Sequence, residues 1–297
     1  MDHAPGAVTA VAALLHESLR SGALRRMSVP LRQTVEDGHG TRGLAMPALS
    51  PDLGLYVVKT ATITDGNGPT VTSVVPVFST ATGELLEVLD GAAVTNLKCA
   101  AVTALVTDHC AAPAAAELAI VGSGVQAWQQ YLGVTAVRGI TRVRVHSRTP
   151  AGAAALCARI RATGAVEAVA CASVEEATEG ADVVSTATTS VLPLPLAADL
   201  PAHVHVNCMG AHTTASREVP HELLAAATVV VEDVPTAVAE AGGIHRDALD
   251  LHALLDRADR DPDALWRGPT VFSSTGHASL DLVTCAHLVG RTHRTTR

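Results

Sequence analysis

A glycine-rich turn joins an apolar, strand-like segment to a helical one in the stretch LAIVGSGVQAWQQ. Gly122, Gly124 and Ala127 form the pattern G-x-G-x-x-A. The first glycine permits a tight turn, the second lets a pyrophosphate approach the backbone, and the alanine allows close helix–strand packing. The turn predicts a dinucleotide-binding βαβ unit. The alternative is an ordinary glycine turn in an unrelated α/β domain.

Strand-like and helix-like segments alternate along the chain from this turn onward. The strand patterns LAIVG, RVRVHS, VEAVA, ADVVSTA, HVHVNCMG, TVVVED and PTVFSS follow one another, with helical segments between several of them. Such alternation is typical of a parallel, doubly wound sheet. The predicted fold class is therefore α/β, with a Rossmann-type doubly wound parallel sheet.

The part of the chain before Thr95 follows a different pattern. Residues 7–22 have helical spacing, and short β-branched or alternating segments follow, such as RRMSVPLRQTVE and LGLYVVKTATIT, with DGNGP and ATGE as hairpin turns. These patterns predict a mostly antiparallel α+β domain. A helix follows, with Thr95 as its predicted N-cap. An amphipathic helix near the end of the chain is expected to fold back on this first block.

Composition limits the classes of partner. Hydrophobic residues make up 48% of the 297 residues, and a net charge of −8 without a basic block argues against nucleic acid and anionic membranes. The six cysteines have no CxxC spacing, and no signal peptide or bilayer-length apolar run is evident. We therefore expect a cytoplasmic protein with reduced thiols. The histidines show no metal-ligand spacing, so no metal is expected.

The residues after the second strand of the βαβ unit indicate which dinucleotide binds. An NAD site usually has Asp or Glu here to bond the ribose 2′-hydroxyl. This chain has Ser147, Arg148 and Thr149 instead. An arginine between two hydroxyls suits a 2′-phosphate, so the sequence favours NADP(H) over NAD(H). The alternative is that Arg148 only lies over the adenine.

The chain resembles the ornithine cyclodeaminase/mu-crystallin family over nearly its whole length. The segments that carry the resemblance include VPLR, MPA, VVK, ATGELLEVLDG, TNLKCAAVTAL, IVGSGVQA, HSRT, NCMGAHTTASRE and SSTGHASLDLVTCAHLV. It implies a substrate-binding and dimerisation domain, residues 1–97 with 277–297, and a Rossmann domain, residues 98–276. It also implies a homodimer that handles α-amino or α-imino acids with a nicotinamide cofactor.

Three basic residues acquire a role through this resemblance. Arg32 matches the family's carboxylate-binding arginine, and Lys59 matches the lysine that faces the substrate's α-carbon. Lys98 stands where most members have arginine, and lysine lacks the bidentate fork of arginine. A cationic clamp suits an amino-acid carboxylate, and Lys59 is the predicted catalytic proton carrier for the α-nitrogen. The alternative is that all three are surface charges.

The resemblance also assigns residues that line the two binding sites. Met46, His212 and His277 are candidates for the substrate pocket, although Met46 also suits a core and His277 a partly buried position. The predicted cofactor-binding residues are Thr70, Gly122, Ser123, Gly124, Val125, Gln126, Ser147, Arg148, Thr149, Thr186, Ala187, Thr188, Met209, Gly210, Ser274 and Thr275.

The loop around His212 bears on the reaction. The family's cyclodeaminases handle the substrate's side-chain amine with an aspartate in a GGDCPGKTE-like loop. Aligned on the glycine and the final glutamate, GAHTTASRE puts His212 at that aspartate. A carboxylate holds an ammonium group, whereas a neutral imidazole does not. We therefore expect NADPH-dependent reduction of an α-imino acid, or the reverse dehydrogenation of an amino acid.

Three other functions stay open. The first is cyclodeamination of ornithine or lysine to proline or pipecolate, with release of ammonia. The second is a non-catalytic NADPH-binding protein of the mu-crystallin type. The presence of Lys59 argues against this alternative, because a pure binding protein does not require it. The third is a dehydrogenase of N-substituted, opine-like amino acids.

Overall fold

The computed structural model describes residues 5–64, 71–164, 166–210 and 213–290. The chain divides into two compact units, Met1–Ala101 with Gly276–Arg297, and Val102–Thr275. The sequence alone puts Lys98 in the Rossmann domain, but this division places it in the first unit. The boundary falls inside one continuous helix, where no change of composition marks it.

The first unit contains a five-stranded antiparallel sheet with its strands in chain order. The strands are β1 (Gln33–Glu36), β2 (Thr41–Ser50), β3 (Leu55–Thr64), β4 (Val71–Ser79) and β5 (Leu85–Asp90). Helix α1 (Pro5–Arg20) contacts α9 (Ala278–Leu288), and α9 packs on β2 and β3. Leu55, Val57 and Lys59 are buried at every second position of β3, so Lys59 points to the same inward side as the two apolar residues. The predicted antiparallel α+β domain is confirmed.

Two local predictions for this unit are wrong. RRMSVPLRQTVE contains a 3-10 turn, Leu24–Arg26, and is a strand only from Gln33 onward. Helix α2 (Gly91–Cys110) begins before Thr95, the predicted N-cap. Asp90 takes the capping role, since its Oδ1 accepts hydrogen bonds from Ala92 N at 2.7 Å and Ala93 N at 3.2 Å.

The second unit contains a seven-stranded sheet in the order β11-β12-β10-β9-β6-β7-β8, with parallel pairing throughout. The order reverses between β6 and β9, which confirms the predicted doubly wound topology. The strands are β6 (Glu117–Val121), β7 (Arg142–His146), β8 (Glu167–Ala170), β9 (Val183–Thr186), β10 (His205–Cys208), β11 (Thr228–Val230) and β12 (Thr270–Ser273). The helices are α3 (Val125–Thr135), α4 (Pro150–Arg161), α5 (Val174–Thr178), α6 (His221–Ala226), α7 (Val234–Ala241) and α8 (Leu251–Arg260), with a 3-10 turn at Gly243–His245.

The core of the second unit consists largely of small and branched aliphatic side chains. One cluster joins Ile120 and Val145 of the sheet to Ala127 and Ile160 of the covering helices. All six cysteines lie within the described ranges, where they are buried and form no disulfide bond. Within the described ranges, no helix is long and apolar enough to cross a membrane. Over the same ranges, no group of three or more His, Cys, Asp or Glu side chains is arranged to hold a metal ion.

Candidate active site

A cleft of about 590 Å³ lies at the carboxyl end of the parallel sheet. Its walls come mainly from the carboxyl ends of β6, β7 and β9 and the segments that follow them, with Val174 from the segment after β8. Strands β6 and β9 flank the point where the strand order reverses. Ligands of doubly wound sheets bind at such a point. The predicted cofactor residues that line the cleft are Gly122, Ser123, Gly124, Ser147, Arg148, Thr149, Ala187 and Thr188. The sequence analysis missed Val121, His146, Val174, Thr189, Ser190 and Leu194, which carry no motif.

The two glycines of the turn shape this cleft in different ways. Gly122 has φ +118°, and a Cβ atom there would lie 2.4 Å from the carbonyl oxygen of Ala187. Gly124 precedes α3, and a Cβ atom there would meet nothing within 4 Å. Residue 122 must be glycine because the backbone at Ala187 passes so close to it. Gly124 leaves space for a ligand at the amino end of α3. This cradle fits a pyrophosphate group.

Hydroxyl groups gather beside the amino end of α4. Ser123 Oγ and Ser147 Oγ lie 2.8 Å apart, and Thr149 occupies the N-cap position without making a capping bond. A Cβ atom at Gly152 would lie 2.5 Å from Ser123 Oγ. Arg148 is exposed at the same place. Hydroxyls, a cation and a helix N-terminus are together suited to binding a phosphate.

The other predicted cofactor residues lie around the carboxyl ends of the strands or at the start of α3. Thr186 ends β9, Met209 and Gly210 follow β10, and Ser274 and Thr275 follow β12, while Val125 and Gln126 open α3. Two buried carboxylates hold these loops. Glu232 accepts hydrogen bonds from Ser274 Oγ and from Thr275 N, and Glu218 binds Thr186, Thr188 and Gly210. Thr70 lies outside the described residues.

A cluster of three cations and one carboxylate occurs in the first unit. Lys59 Nζ donates to Asp281 Oδ2 at 2.8 Å, and the Asp281 residue is fully buried on α9. Arg32 Nη2 donates to the carbonyl oxygen of Gly276 at 3.0 Å. A Cβ atom at Gly276 would lie 3.4 Å from Lys98 Nζ and 4.0 Å from Arg32 Nη2. The fold thus brings together the three basic residues that the sequence singled out.

The electrostatics of this cluster keep Asp281 ionised. Burial by itself raises the pKa of Asp281, but the charges of Lys59, Lys98 and Arg32 and the hydrogen bond from Lys59 together lower it. Burial also raises the pKa of the nearby Cys285 thiol, and Asp281 adds to that rise, so this cysteine stays protonated. The three cations exceed the single carboxylate in charge, which suits an acidic ligand.

Asp281 is the residue that the sequence analysis missed. It is a lone acid in the apolar stretch SLDLVTCAHLV, and an acid at a buried helix position requires a charged partner. The sequence could therefore have predicted that Asp281 has a charged partner. It could not identify that partner as Lys59, because the two residues are 222 positions apart.

The remaining predicted substrate residues are placed as follows. Met46 is directly opposite Lys59 in the β2–β3 register and is 6% exposed, so it borders the cation cluster. His277 occupies the N-cap position of α9, and its Nδ1 is 2.7 Å from Ser279 Oγ, which is a local contact at the start of the helix. His212 lies outside the described residues.

The doubly wound sheet, its glycine cradle and the cleft at the switch point are the features of a dinucleotide-binding α/β protein. Residues 7–294 match the ornithine cyclodeaminase/mu-crystallin family. The chain belongs to this family, as its sequence motifs predicted.

Individual relatives agree with this assignment. Ketimine reductase mu-crystallin of Rattus norvegicus is 31% identical over 243 residues, which cover 80% of this chain and 76% of the relative. Delta(1)-pyrroline-2-carboxylate reductase of Bacillus cereus is 29% identical over 294 residues, covering 92% and 89%. The structure of Thermococcus litoralis Delta(1)-pyrroline-2-carboxylate reductase with NADH and L-proline has a TM-score of 0.81 at 22% identity, covering 97% of this chain and 96% of that chain, which shows the shared fold.

Proposed function

We propose that the chain is an NADPH-dependent reductase of α-imino acids, acting on cyclic ketimines that carry a carboxylate. The observation that carries the proposal is the Lys59–Asp281 pair, at 2.8 Å, beside Arg32 and Lys98. Relatives named as ketimine reductase and pyrroline-2-carboxylate reductase support it.

The four charged residues have distinct tasks in this reaction. The nicotinamide, when bound, supplies a hydride to the imine carbon. Arg32 and Lys98 hold the substrate carboxylate and so fix the position of the imine carbon. Lys59 donates a proton from Nζ to the imine nitrogen, so the C=N double bond becomes a C–N single bond with a new C–H and a new N–H. Asp281 holds Lys59 Nζ in place through its carboxylate.

The test is a substrate panel run with wild type and with Lys59→Met. Oxidation of NADPH is followed with Delta(1)-pyrroline-2-carboxylate and Delta(1)-piperideine-2-carboxylate, and Arg42→Met, an exposed position on β2, is the control. We expect turnover by wild type and by the control, and a kcat about 10²–10⁴-fold lower for Lys59→Met. Ammonia release from ornithine without net NADPH oxidation would instead establish cyclodeamination. Tight NADPH binding without turnover of any imine would establish a binding protein.

The proposed preference for NADPH rests on the amino end of α4. No acidic side chain follows β7, and Arg148 is exposed beside the hydroxyls of Ser147 and Thr149. Arg148→Ala is expected to weaken NADPH binding about tenfold, the loss of one charge-assisted contact of about 1.4 kcal/mol, and to leave NADH binding unchanged. Arg142→Ala, at the other end of β7, is the matched control. Tighter binding of NADH than NADPH by wild type would contradict the preference.

We also propose that the protein forms a homodimer through β5, an edge strand of the antiparallel sheet, and its neighbour β4. Val74, Leu85 and Val88 of β4 and β5 lie on one face of the sheet and have exposed fractions of 47%, 52% and 54%. A group of exposed apolar residues on adjacent strands is typical of an interaction surface. Val74→Glu together with Val88→Lys is expected to convert a dimer to a monomer in light scattering. A wild-type mass equal to one chain would refute the dimer.

A further inference from the structure

Glu218 is a fully buried carboxylate in the loop between β10 and α6. We propose that Glu218 is a positioning residue, which holds the two loops after β9 and β10 at the separation that binding of the dinucleotide requires. This inference rests on the proposed function, since it assumes that these loops contact the cofactor.

The carboxylate joins two neighbouring strands just beyond the point where their ladder ends. Strands β9 and β10 pair in parallel as far as Thr186 and Cys208, and Met209 N donates to Thr186 O at 3.0 Å. Farther along each strand, Thr188 N donates to Glu218 Oε1 at 2.6 Å and Gly210 N donates to Oε2 at 2.7 Å. Glu218 therefore takes the place of a strand partner for both amides.

Two hydroxyl groups also donate to the carboxylate, and the thiol of Cys208 donates to Oε2 at 3.6 Å. Thr188 Oγ1 donates to Oε1 at 2.6 Å, and Thr186 Oγ1 donates to Oε2 at 2.8 Å. Each carboxylate oxygen thus accepts one backbone amide and one threonine hydroxyl. Bonds to an ionised acceptor are about twice as strong as neutral ones, so the loops are held firmly.

The backbone at Gly210 is packed against this carboxylate. A Cβ atom there would lie 2.2 Å from Thr188 O and 2.5 Å from Glu218 Oε1. No side chain fits without moving one loop away from the other. Thr188 lines the 590 Å³ cleft, so any such movement changes the wall of the cleft.

An amide cannot replace the carboxylate at this position. Backbone N–H groups only donate, and a glutamine would direct its own NH₂ group toward at least one of the five donors. The donor that loses its acceptor stays buried and unpaired, which favours displacement of its loop. Glu218→Gln is therefore a nearly isosteric change with a predicted local effect at the cleft.

A matched control exists at the opposite end of the same sheet. Asp182 precedes β9, and its Oδ2 accepts hydrogen bonds from Ala116 N at 2.8 Å and Glu117 N at 3.0 Å. Asp182→Asn makes the same chemical change to a carboxylate that holds two backbone amides. It lies far along the strand from the residues of the cleft.

The experiment compares melting temperatures and NADPH and NADH dissociation constants of the wild type, Glu218→Gln and Asp182→Asn. We expect both variants to lose stability, but only Glu218→Gln to weaken both dinucleotides at least tenfold. Gly210→Ala keeps the carboxylate but displaces the loop, so it is expected to weaken dinucleotide binding to the same extent. It takes the place of Glu218→Gln in the experiment if that variant does not fold.

The outcomes separate the two proposals. If wild type binds a dinucleotide and both Glu218→Gln and Gly210→Ala bind it equally well, the positioning role is overturned and the proposed function stands. A positioning role is likewise overturned if Asp182→Asn weakens binding as much as Glu218→Gln. If wild type binds neither dinucleotide, the proposed function fails, and the role of Glu218 fails with it.

Discussion

Replacing Lys59 by methionine removes one charge from a buried ion pair and nearly preserves the shape of the side chain. The side chains of Lys59 and Asp281 are 11% and 1% exposed, with 2.8 Å between Nζ and Oδ2. Breaking a buried pair on one side usually costs about 3–5 kcal/mol, because the remaining charge has lost its compensation. Arg32 and Lys98 still lower the pKa of Asp281, so we expect the lower end, about 3 kcal/mol.

Thermal unfolding and steady-state kinetics measure the two consequences. For a large domain, about 1 kcal/mol lowers the melting temperature by about 2–4 °C, so Lys59→Met is expected to melt about 6–12 °C below wild type. Loss of the proton donor is expected to reduce kcat for imine reduction about 10²–10⁴-fold.

The double variant with Asp281→Asn separates the ion pair from the chemistry. Once Lys59 is gone, removing the charge of Asp281 also removes the uncompensated buried carboxylate, so the double variant should regain part of the stability lost in Lys59→Met. It should regain none of the activity. A Lys59→Met enzyme with wild-type stability and turnover would refute both the buried pair and the proton donor.

Three further predictions follow from buried groups in the second unit. Arg138 donates to the carbonyl oxygens of residues 107, 108, 111 and 112 and to the carboxylate of Asp108. Because Arg138→Met leaves these acceptors without their donor, it should lower the free energy of unfolding by about 3–5 kcal/mol in urea titrations. The control Arg142→Met, at an exposed position, should change the free energy of unfolding little. Burial lowers the pKa of His205 to about 3, so only the unfolded chain takes up this proton as the pH falls below about 6.5, and stability is lost on acidification. Between pH 7 and 5 this loss should be about 2 kcal/mol, and an equal loss in His205→Gln would contradict the assignment. Gly122→Ala places a Cβ atom 2.4 Å from the carbonyl oxygen of Ala187, at a residue whose φ is +118°. The variant should therefore bind NADPH more weakly and melt at a lower temperature. Wild-type values of both quantities would contradict the assignment of this turn as the pyrophosphate site.

Much of the second unit could be predicted because its signals are local. The turn from Gly122 to Ala127 lies within a few residues of the strand and helix that it connects, and each later strand is a short apolar run. The hydroxyls and the arginine that follow β7 could also be predicted, because they directly adjoin that strand in the sequence.

The start of helix α2 could not be predicted in this way. Asp90 and Thr95 are both good capping residues, and only the folded backbone shows that Asp90 caps the helix.

The family, the order of strands and helices, and the three cations that meet in the first unit could all be predicted from local patterns in the sequence. The groups with which those cations pair depend on how distant parts of the chain pack together. Asp281 and Lys59 come from opposite ends of the chain, and they meet because α9 packs on β3. Glu218 likewise gains its role from the parallel pairing of β9 with β10. Burial made each of these carboxylates important, since a charge removed from water must find its partners within the fold.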